Sequence, residues 1–88
     1  MHFTDHTLVL IVRNEPGVLV RIAHVFARRG CNIRSLHVAP HPDEQWSTMT
    51  IIVRNVPRVD QIIHQLQKLV DVSSVAKAHS LTSDGEKS

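Results

Sequence analysis

The sequence has few of the residues that bring covalent or membrane chemistry. Cys31 is the only cysteine among the 88 residues, so the chain can form no internal disulfide, and a reducing, cytoplasmic setting is expected. No apolar run approaches the roughly 20 residues that span a membrane, and residues 1–6 lack the pattern of a secretion signal. We therefore expect a chain that is neither exported nor held in a membrane.

Aromatic residues are also scarce, because Phe3, Phe26 and Trp46 are the only three. Domains that bind RNA on a sheet need aromatic side chains within their central strands, and none of the three occupies such a position. The net charge is only +2, and Lys and Arg are dispersed, with Arg28 and Arg29 as the one adjacent pair. We therefore expect no nucleic acid partner.

Histidine is abundant, with seven copies, but its spacing is poor for a metal site. His37 and His41 are four residues apart, which gathers ligands on a helix but spreads them along a strand and loop. Asp43 and Glu44 are adjacent in a polar segment with no apolar wall to raise a carboxyl pKa, and Cys31 follows a glycine as a small packing residue. We expect no metal, no cofactor and no catalytic residue in this chain.

Apolar periodicity predicts six elements in the order strand, helix, strand, strand, helix, strand. The predicted strands are His6–Arg13, Asn32–Ala39, Trp46–Arg54 and, more weakly, Asp71–Ala78. The predicted helices are Gly17–Arg29 and a segment from Pro57 to about Leu69. This order predicts a ferredoxin-like α+β fold, in which two helices cover one face of a four-stranded antiparallel sheet.

The predicted strands divide their side chains between a core face and an outer face. The expected core-facing residues are Leu8, Leu10 and Val12 of the first strand, with Leu36 and Val38 of the second. The outer face is expected to expose apolar and threonine side chains: Val9, Ile11, Thr48, Thr50 and Ile52. Because so large an apolar surface generally marks an interface, we expect this sheet to take part in association.

The turn Asn14–Leu19 joins the first strand to the first helix, whose first N–H groups have no intrahelical acceptor and attract anions. Asn14 offers an acceptor for an ammonium group, and Gly17 lets a ligand approach the main chain. Asn32 is expected to contribute from a neighbouring chain. An apolar wall would come from Val18, Leu19 and Ile33. On these residues alone, an ordinary turn and helix start is the simpler interpretation.

A longer stretch, residues 6–53 and more loosely on to 78, resembles the ACT domain, and most closely the small regulatory subunit of acetohydroxyacid synthase. The segments that carry the resemblance are NEPGVLVRIAHVFARRGCNIRSLHVAP (Asn14–Pro40), STMTIIV (Ser47–Val53) and LVDVSSV (Leu69–Val75). An N-x-x-G turn followed by F-x-R-R-G-x-N-I and S-L-x-V-A-P at matching spacing is fairly specific. We assign residues 1–79 to a single ACT domain and expect polar residues 80–88 to be a disordered tail.

The resemblance implies a regulatory subunit and not an enzyme. In that family the small subunit binds a catalytic large subunit, which is where thiamine diphosphate, magnesium and FAD are expected. It raises that subunit's activity and confers feedback inhibition by valine or a related branched-chain amino acid. A homodimer through the ACT sheet would hold the effector between protomers. The effector-binding residues implied by position are Asn14, Gly17, Val18, Leu19, Asn32 and Ile33, and Ala39 lies in a segment where family regulation is sensitive.

Two alternatives remain open at this point. The chain could be a free-standing ACT sensor that responds to another amino acid and regulates a different enzyme. It could instead be a structural assembly subunit without an effector, in which Asn14–Gly17 is only a turn.

Overall fold

A computed structural model describes residues 5–54 and 58–78. Its elements are β1 (Asp5–Arg13), α1 (Val18–Arg28), β2 (Asn32–Pro40), β3 (Trp46–Arg54), α2 (Val59–Gln67) and β4 (Val72–Ala78). The four strands pair antiparallel in the order β2-β3-β1-β4. The predicted ferredoxin-like α+β fold is therefore confirmed. The predicted helix start at Pro57 and the tail 80–88 lie outside the described residues.

The core lies between one face of the sheet and the two helices. Leu8, Leu10 and Val12 of β1 are buried, as their alternation predicts, and Met49, Ile51 and Val53 of β3 lie beside them on the same face. The helices contribute residues spaced three or four apart: Val18, Ile22, Val25 and Phe26 from α1, and Val59, Ile62 and Leu66 from α2. Each large side chain so buried contributes about 1.5–3 kcal/mol, so this layer is the main source of stability.

The expected burial of Leu36 and Val38 is not observed. They pair with Ile51 and Met49, so they lie on the core face of the sheet, but they remain 42% and 41% exposed. The physical reason is the position of β2, which is an edge strand of which the helices cover only a small part. The alternation of apolar residues predicted correctly which face of the sheet Leu36 and Val38 occupy. It could not predict whether a helix covers that part of the face.

The outer face of the sheet carries the predicted apolar and threonine residues, among them Val9, Ile11 and Ile52. These side chains are half-buried, because neighbours on adjacent strands pack against them. At one end of this face, the Asp5 carboxylate accepts hydrogen bonds from Arg34 at 2.8 Å and from Arg54 at 3.4 Å. These contacts connect β1, β2 and β3 at the end of the sheet where β2 begins.

Candidate functional site

The turn between β1 and α1 is held by hydrogen bonds to two neighbouring segments. The main-chain N–H of Asn14 donates to the carbonyl of Gln45 at 2.9 Å, and its side-chain Nδ2 donates to the carbonyl of Glu44 at 3.0 Å. The N–H of Arg13 donates to the carbonyl of Asp71 at 2.8 Å. The side-chain Oδ1 of Asn14 has no donor among the described residues. Asn14 therefore sits in a fixed position with one acceptor available.

Gly17 sets the direction in which α1 begins. Its φ of +87° lies in the left-handed region, where a side chain is strained. Its carbonyl accepts the first helical hydrogen bond, from the N–H of Arg21 at 3.0 Å. The Arg21 guanidinium in turn pairs with the Asp71 carboxylate. Glycine at this position and the Arg21–Asp71 ion pair together fix the start of the helix against the end of the sheet.

The start of α1 leaves main-chain donors without partners. The N–H of Val18 donates to the carbonyl of Glu15 at 3.3 Å, but those of Leu19 and Val20 have no backbone acceptor among the described residues. No side chain caps the helix, and its first turn contains no acidic residue. The positive end of the helix dipole is thus uncompensated, and an anion placed there would gain about 0.3–2 kcal/mol.

A cavity of about 210 Å³ lies between this turn and the end of β2. It is lined by Val12, Arg13, Asn14, Glu15, Val18, Leu19, Val38, Ser47 and Met49. Sites for drug-sized ligands occupy roughly 300–1,000 Å³, so this cavity suits a smaller metabolite. Its apolar walls lie beside an unused amide oxygen and a helix start, a combination that fits a molecule with an aliphatic part and charged groups.

Ser47 is a lining residue that the sequence reasoning did not select as a site residue. It is 2% exposed, and its hydroxyl is the one buried side-chain polar atom without a hydrogen-bond partner in the described part of the chain. The available signal was its place in the alternation of β3, where Ser47 shares the core face with Met49, Ile51 and Val53. A polar residue on such a face needs an explanation, because an unpaired buried hydroxyl costs about 1–3 kcal/mol.

The predicted site residues fall into two groups. Asn14, Val18 and Leu19 line the cavity, and Gly17 lies between them in the turn. Two others, Asn32 and Ile33, lie at the opposite end of β2, paired with Arg54 and Val53. Asn32 is exposed and Ile33 packs against the core. Asn32 lies six positions before Val38 along an extended strand, a distance of roughly 20 Å, so a single chain does not unite the two groups.

A larger depression, of about 570 Å³, lies where α1 and α2 meet. It is lined by Val25, Arg28, Arg29 and Gln65. The two arginines are exposed, and no buried unpaired side-chain polar atom of the described residues borders it. Selective small-molecule sites combine apolar walls with a few placed polar groups. The cavity beside the turn meets that description better than this open, cationic depression does.

The remaining reactive groups do not form a competing site in the described ranges 5–54 and 58–78. Burial raises the pKa of the Cys31 thiol, which packs beside the core, so the thiol is protonated at neutral pH and is a poor nucleophile. Within those ranges, no three His, Cys, Asp or Glu side chains are grouped to hold a metal ion. No helix of the same ranges has the length and apolar character needed to cross a membrane.

Comparison with known proteins places this geometry in a family. The family model described as "AHAS small subunit-like ACT domain" matches residues 8–74. The probable acetolactate synthase small subunit of Archaeoglobus fulgidus is 44% identical over 73 residues, which cover 82% of this chain and 46% of that protein. The acetolactate synthase small subunit of Mycolicibacterium smegmatis is 42% identical over 74 residues, which cover 82% of this chain and 43% of that protein.

A solved structure agrees with the sequence relatives. The crystal structure of the acetolactate synthase small subunit from Thermotoga maritima matches with a TM-score of 0.78 and 35% identity, covering 89% of this chain and 49% of that one. The chain thus spans slightly less than half the length of these three relatives. Since the family model covers most of the chain and a solved relative has the same fold, the chain belongs to the AHAS small subunit-like ACT domain family.

Proposed function

We propose that this chain is the ligand-binding domain of a non-catalytic regulatory subunit of acetolactate synthase, and that its ligand is a branched-chain amino acid, with valine the first candidate. The observation that carries the proposal is the cavity beside the turn, where unpaired helix N–H groups and the Asn14 amide oxygen border apolar walls. The names of the relatives, all small subunits of acetolactate synthase, support the regulatory role.

The ligand groups match the protein groups one by one. The carboxylate lies at the start of α1, where the N–H groups of Leu19 and Val20 donate to it. The ammonium group donates to Oδ1 of Asn14, which the Glu44 and Gln45 carbonyls hold in place. The aliphatic side chain contacts Val18 and Val38. Hydrogen bonds to charged groups contribute about 1.5–3 kcal/mol each, so these contacts provide selectivity for amino acids.

We further propose that a second copy of the chain completes the site. The β2 edge presents Leu36 and Val38, and Leu19 and Val20 of α1 are also 43% and 57% exposed. Two β2 strands paired antiparallel about a two-fold axis would bring the beginning of one strand beside the end of the other. Asn32 of the partner subunit would then lie near this cavity. Dimerisation would also add the apolar burial that so small a domain lacks.

Regulation follows if the ligand binds two arrangements of the dimer unequally. A coupling of about 1–3 kcal/mol between the ligand and the catalytic subunit changes the affinity of each for the other about 5- to 150-fold. The catalytic subunit would hold the thiamine diphosphate, magnesium and FAD. The assembly would work in the cytoplasm, in branched-chain amino acid synthesis.

Isothermal calorimetry of the chain with valine, leucine, isoleucine and glutamate tests the ligand proposal. Binding of at least one branched-chain amino acid, with no binding of glutamate, is expected because the cavity walls are apolar. Absence of heat with all four would favour a purely structural subunit. Adding the chain to an isolated acetolactate synthase catalytic subunit tests the partner. If valine binds but that subunit's activity is unchanged, a free-standing sensor of another enzyme is favoured.

Asn14 variants test the site assignment. We expect Asn14→Ala to weaken valine binding about tenfold to a hundredfold, because the ammonium loses a charge-assisted hydrogen bond. Asn14→Asp loses the same Nδ2 donor to Glu44 but keeps an acceptor, so it serves as the matched control and should bind valine more tightly than Asn14→Ala. Equal affinity of the wild type and Asn14→Ala would show that the ammonium does not lie here.

A further inference from the structure

The Ser47 hydroxyl occupies a place where β-strand alternation calls for an apolar side chain. Ser47 is the first core-facing residue of β3, paired with Val12 on one side and Pro40 on the other. Its Oγ atom is closed off from solvent and has no partner among the described residues. Alanine would fill the same position without that penalty. Serine at position 47 therefore lowers the stability of the isolated domain relative to alanine.

Ser47 is part of the wall of the cavity beside the turn. Val12, Ser47 and Met49 lie together on the core face and form the wall of the cavity that belongs to the sheet. Val18 and Leu19 at the start of α1 form the facing wall. In this sheet wall, Ser47 supplies the one hydroxyl, and its nearest core-facing neighbours on β1 and β3, Val12 and Met49, are apolar. Polar groups that break the core pattern are expected at functional sites.

We propose that Ser47 is a ligand-contacting residue, whose hydroxyl donates a hydrogen bond to the carboxylate of the bound amino acid. This proposal rests on the proposed function of the cavity and adds to it a donor from the sheet. The carboxylate then accepts from both walls, from the Ser47 hydroxyl and from the free N–H groups of α1. A neutral hydrophobic molecule of the same shape cannot use these donors, so Ser47 contributes to the selection of amino acids.

Access to the hydroxyl requires a local movement. Because its oxygen is closed off from solvent, lining side chains must change rotamer before a ligand reaches it. Leu19 and Val38 border the cavity and are 43% and 41% exposed, so they can move without disturbing the buried core. The aliphatic side chain of the ligand then takes the place of the partly solvated apolar contacts that Leu19 and Val38 made before they moved.

The test compares Ser47→Ala with Ser74→Ala, an exposed serine-to-alanine change on β4. Without ligand, Ser47→Ala is expected to raise the melting temperature by about 4 °C or more, because it removes an unpaired buried hydroxyl. It is also expected to weaken valine binding about tenfold to a hundredfold in calorimetry. Ser74→Ala should change neither quantity. If Ser47→Ala is more stable but binds valine more weakly, the Ser47 hydroxyl contributes to ligand binding and not to folding.

Valinamide provides a readout that a structural role would not move. It keeps the ammonium group but has a neutral amide in place of the carboxylate, so the loss caused by Ser47→Ala should be smaller for valinamide than for valine. Equal losses for the two ligands would overturn the assignment of the hydroxyl to the carboxylate.

Other outcomes separate this proposal from the one on which it rests. If the wild type and Ser47→Ala bind valine equally, the Ser47 contact is wrong while the cavity remains the site. If Ser47→Ala is less stable or fails to fold, the hydroxyl has a structural partner and the proposal is overturned. If the wild type binds no amino acid, both proposals fail.

Discussion

Gly17 is the residue at which backbone conformation and the proposed ligand binding meet. Its positive φ turns the chain from β1 into α1, so the orientation of the first helical N–H groups depends on it. Gly30 has a similar φ of +67°, but it lies at the other end of α1, away from the cavity. Both glycines therefore require a left-handed backbone conformation, but only Gly17 orients the N–H groups beside the cavity.

This pair allows a matched experiment. We expect Gly17→Ala and Gly30→Ala each to destabilise the domain by about 1–2 kcal/mol, because a Cβ is strained at positive φ. In thermal unfolding this corresponds to a decrease of several degrees. Only Gly17→Ala should also weaken valine binding, by about tenfold, since it reorients a charge-assisted donor. Equal binding losses in both variants would indicate a global effect of stability and not a local one on the turn.

The strands of the sheet are connected at one end by charge as well as by main-chain hydrogen bonds. The hydrogen bond from Arg34 to the Asp5 carboxylate, with a further contribution from Arg54, lowers the pKa of that carboxyl below its usual value of 3.8. Arg34 is the extra residue at the irregularity in β2, between Ile33 and Ser35. The bulged edge strand is therefore attached to β1 through the side chains of Asp5 and Arg34.

The lowered pKa fixes the pH range in which this attachment matters. Because the folded form holds the ionised carboxylate more strongly than the unfolded form does, its stabilisation is present above the unfolded pKa and is lost as pH falls through the folded pKa. We expect NMR titration to give a pKa below 3.8 for Asp5 and a higher value in Arg34→Gln. The exposed Arg28 is not paired with Asp5, so Arg28→Gln is the control. An unchanged Asp5 pKa in Arg34→Gln would exclude this contact in solution.

Particular residues show how far local sequence can predict such elements. Leu8, Leu10 and Val12 alternate strictly, so their burial could be predicted from β1 alone. The Asn14–Gly17 turn was also predictable, because Asn and Gly have specific backbone and hydrogen-bonding properties. The exposure of Leu36 and the isolation of the Ser47 hydroxyl depend on which elements cover each strand. That information comes from tertiary packing and is absent from a local pattern.

The two edges of the sheet, β2 and β4, differ in the arrangement of the exposed apolar residues near them. On the β2 side, an apolar patch is formed by Leu36 and Val38, which share one face of β2, and by Leu19 of α1, which borders the cavity together with Val38. Among the residues that the structure describes, the most exposed large apolar one is Val70, at 88%, which is separated from this patch by its position between α2 and β4. Contiguous apolar surface is the kind that associates, whereas scattered single residues are ordinary.

Lysine substitution on this patch tests the proposed dimer. We expect Leu36→Lys to weaken dimerisation about a hundredfold or more, since two leucines per dimer each lose roughly 1.5–3 kcal/mol of burial. Val70→Lys removes a more exposed apolar residue outside the patch and should leave the dimer intact. Sedimentation velocity over a concentration series distinguishes these outcomes. A chain that is monomeric at all concentrations, or a dimer unaffected by Leu36→Lys, would exclude association through β2.

The two carbonyls that Asn14 engages, those of Glu44 and Gln45, both belong to the loop that joins β2 to β3. A surface hairpin loop ordinarily tolerates insertion and deletion, because its length affects little beyond itself. Here the length of the loop also sets where the Asn14 amide points. Grafting a tag, a label or a longer hairpin between Pro42 and Gln45 would therefore weaken the proposed ligand binding at the β1–α1 turn, although every residue proposed to touch the ligand stayed the same.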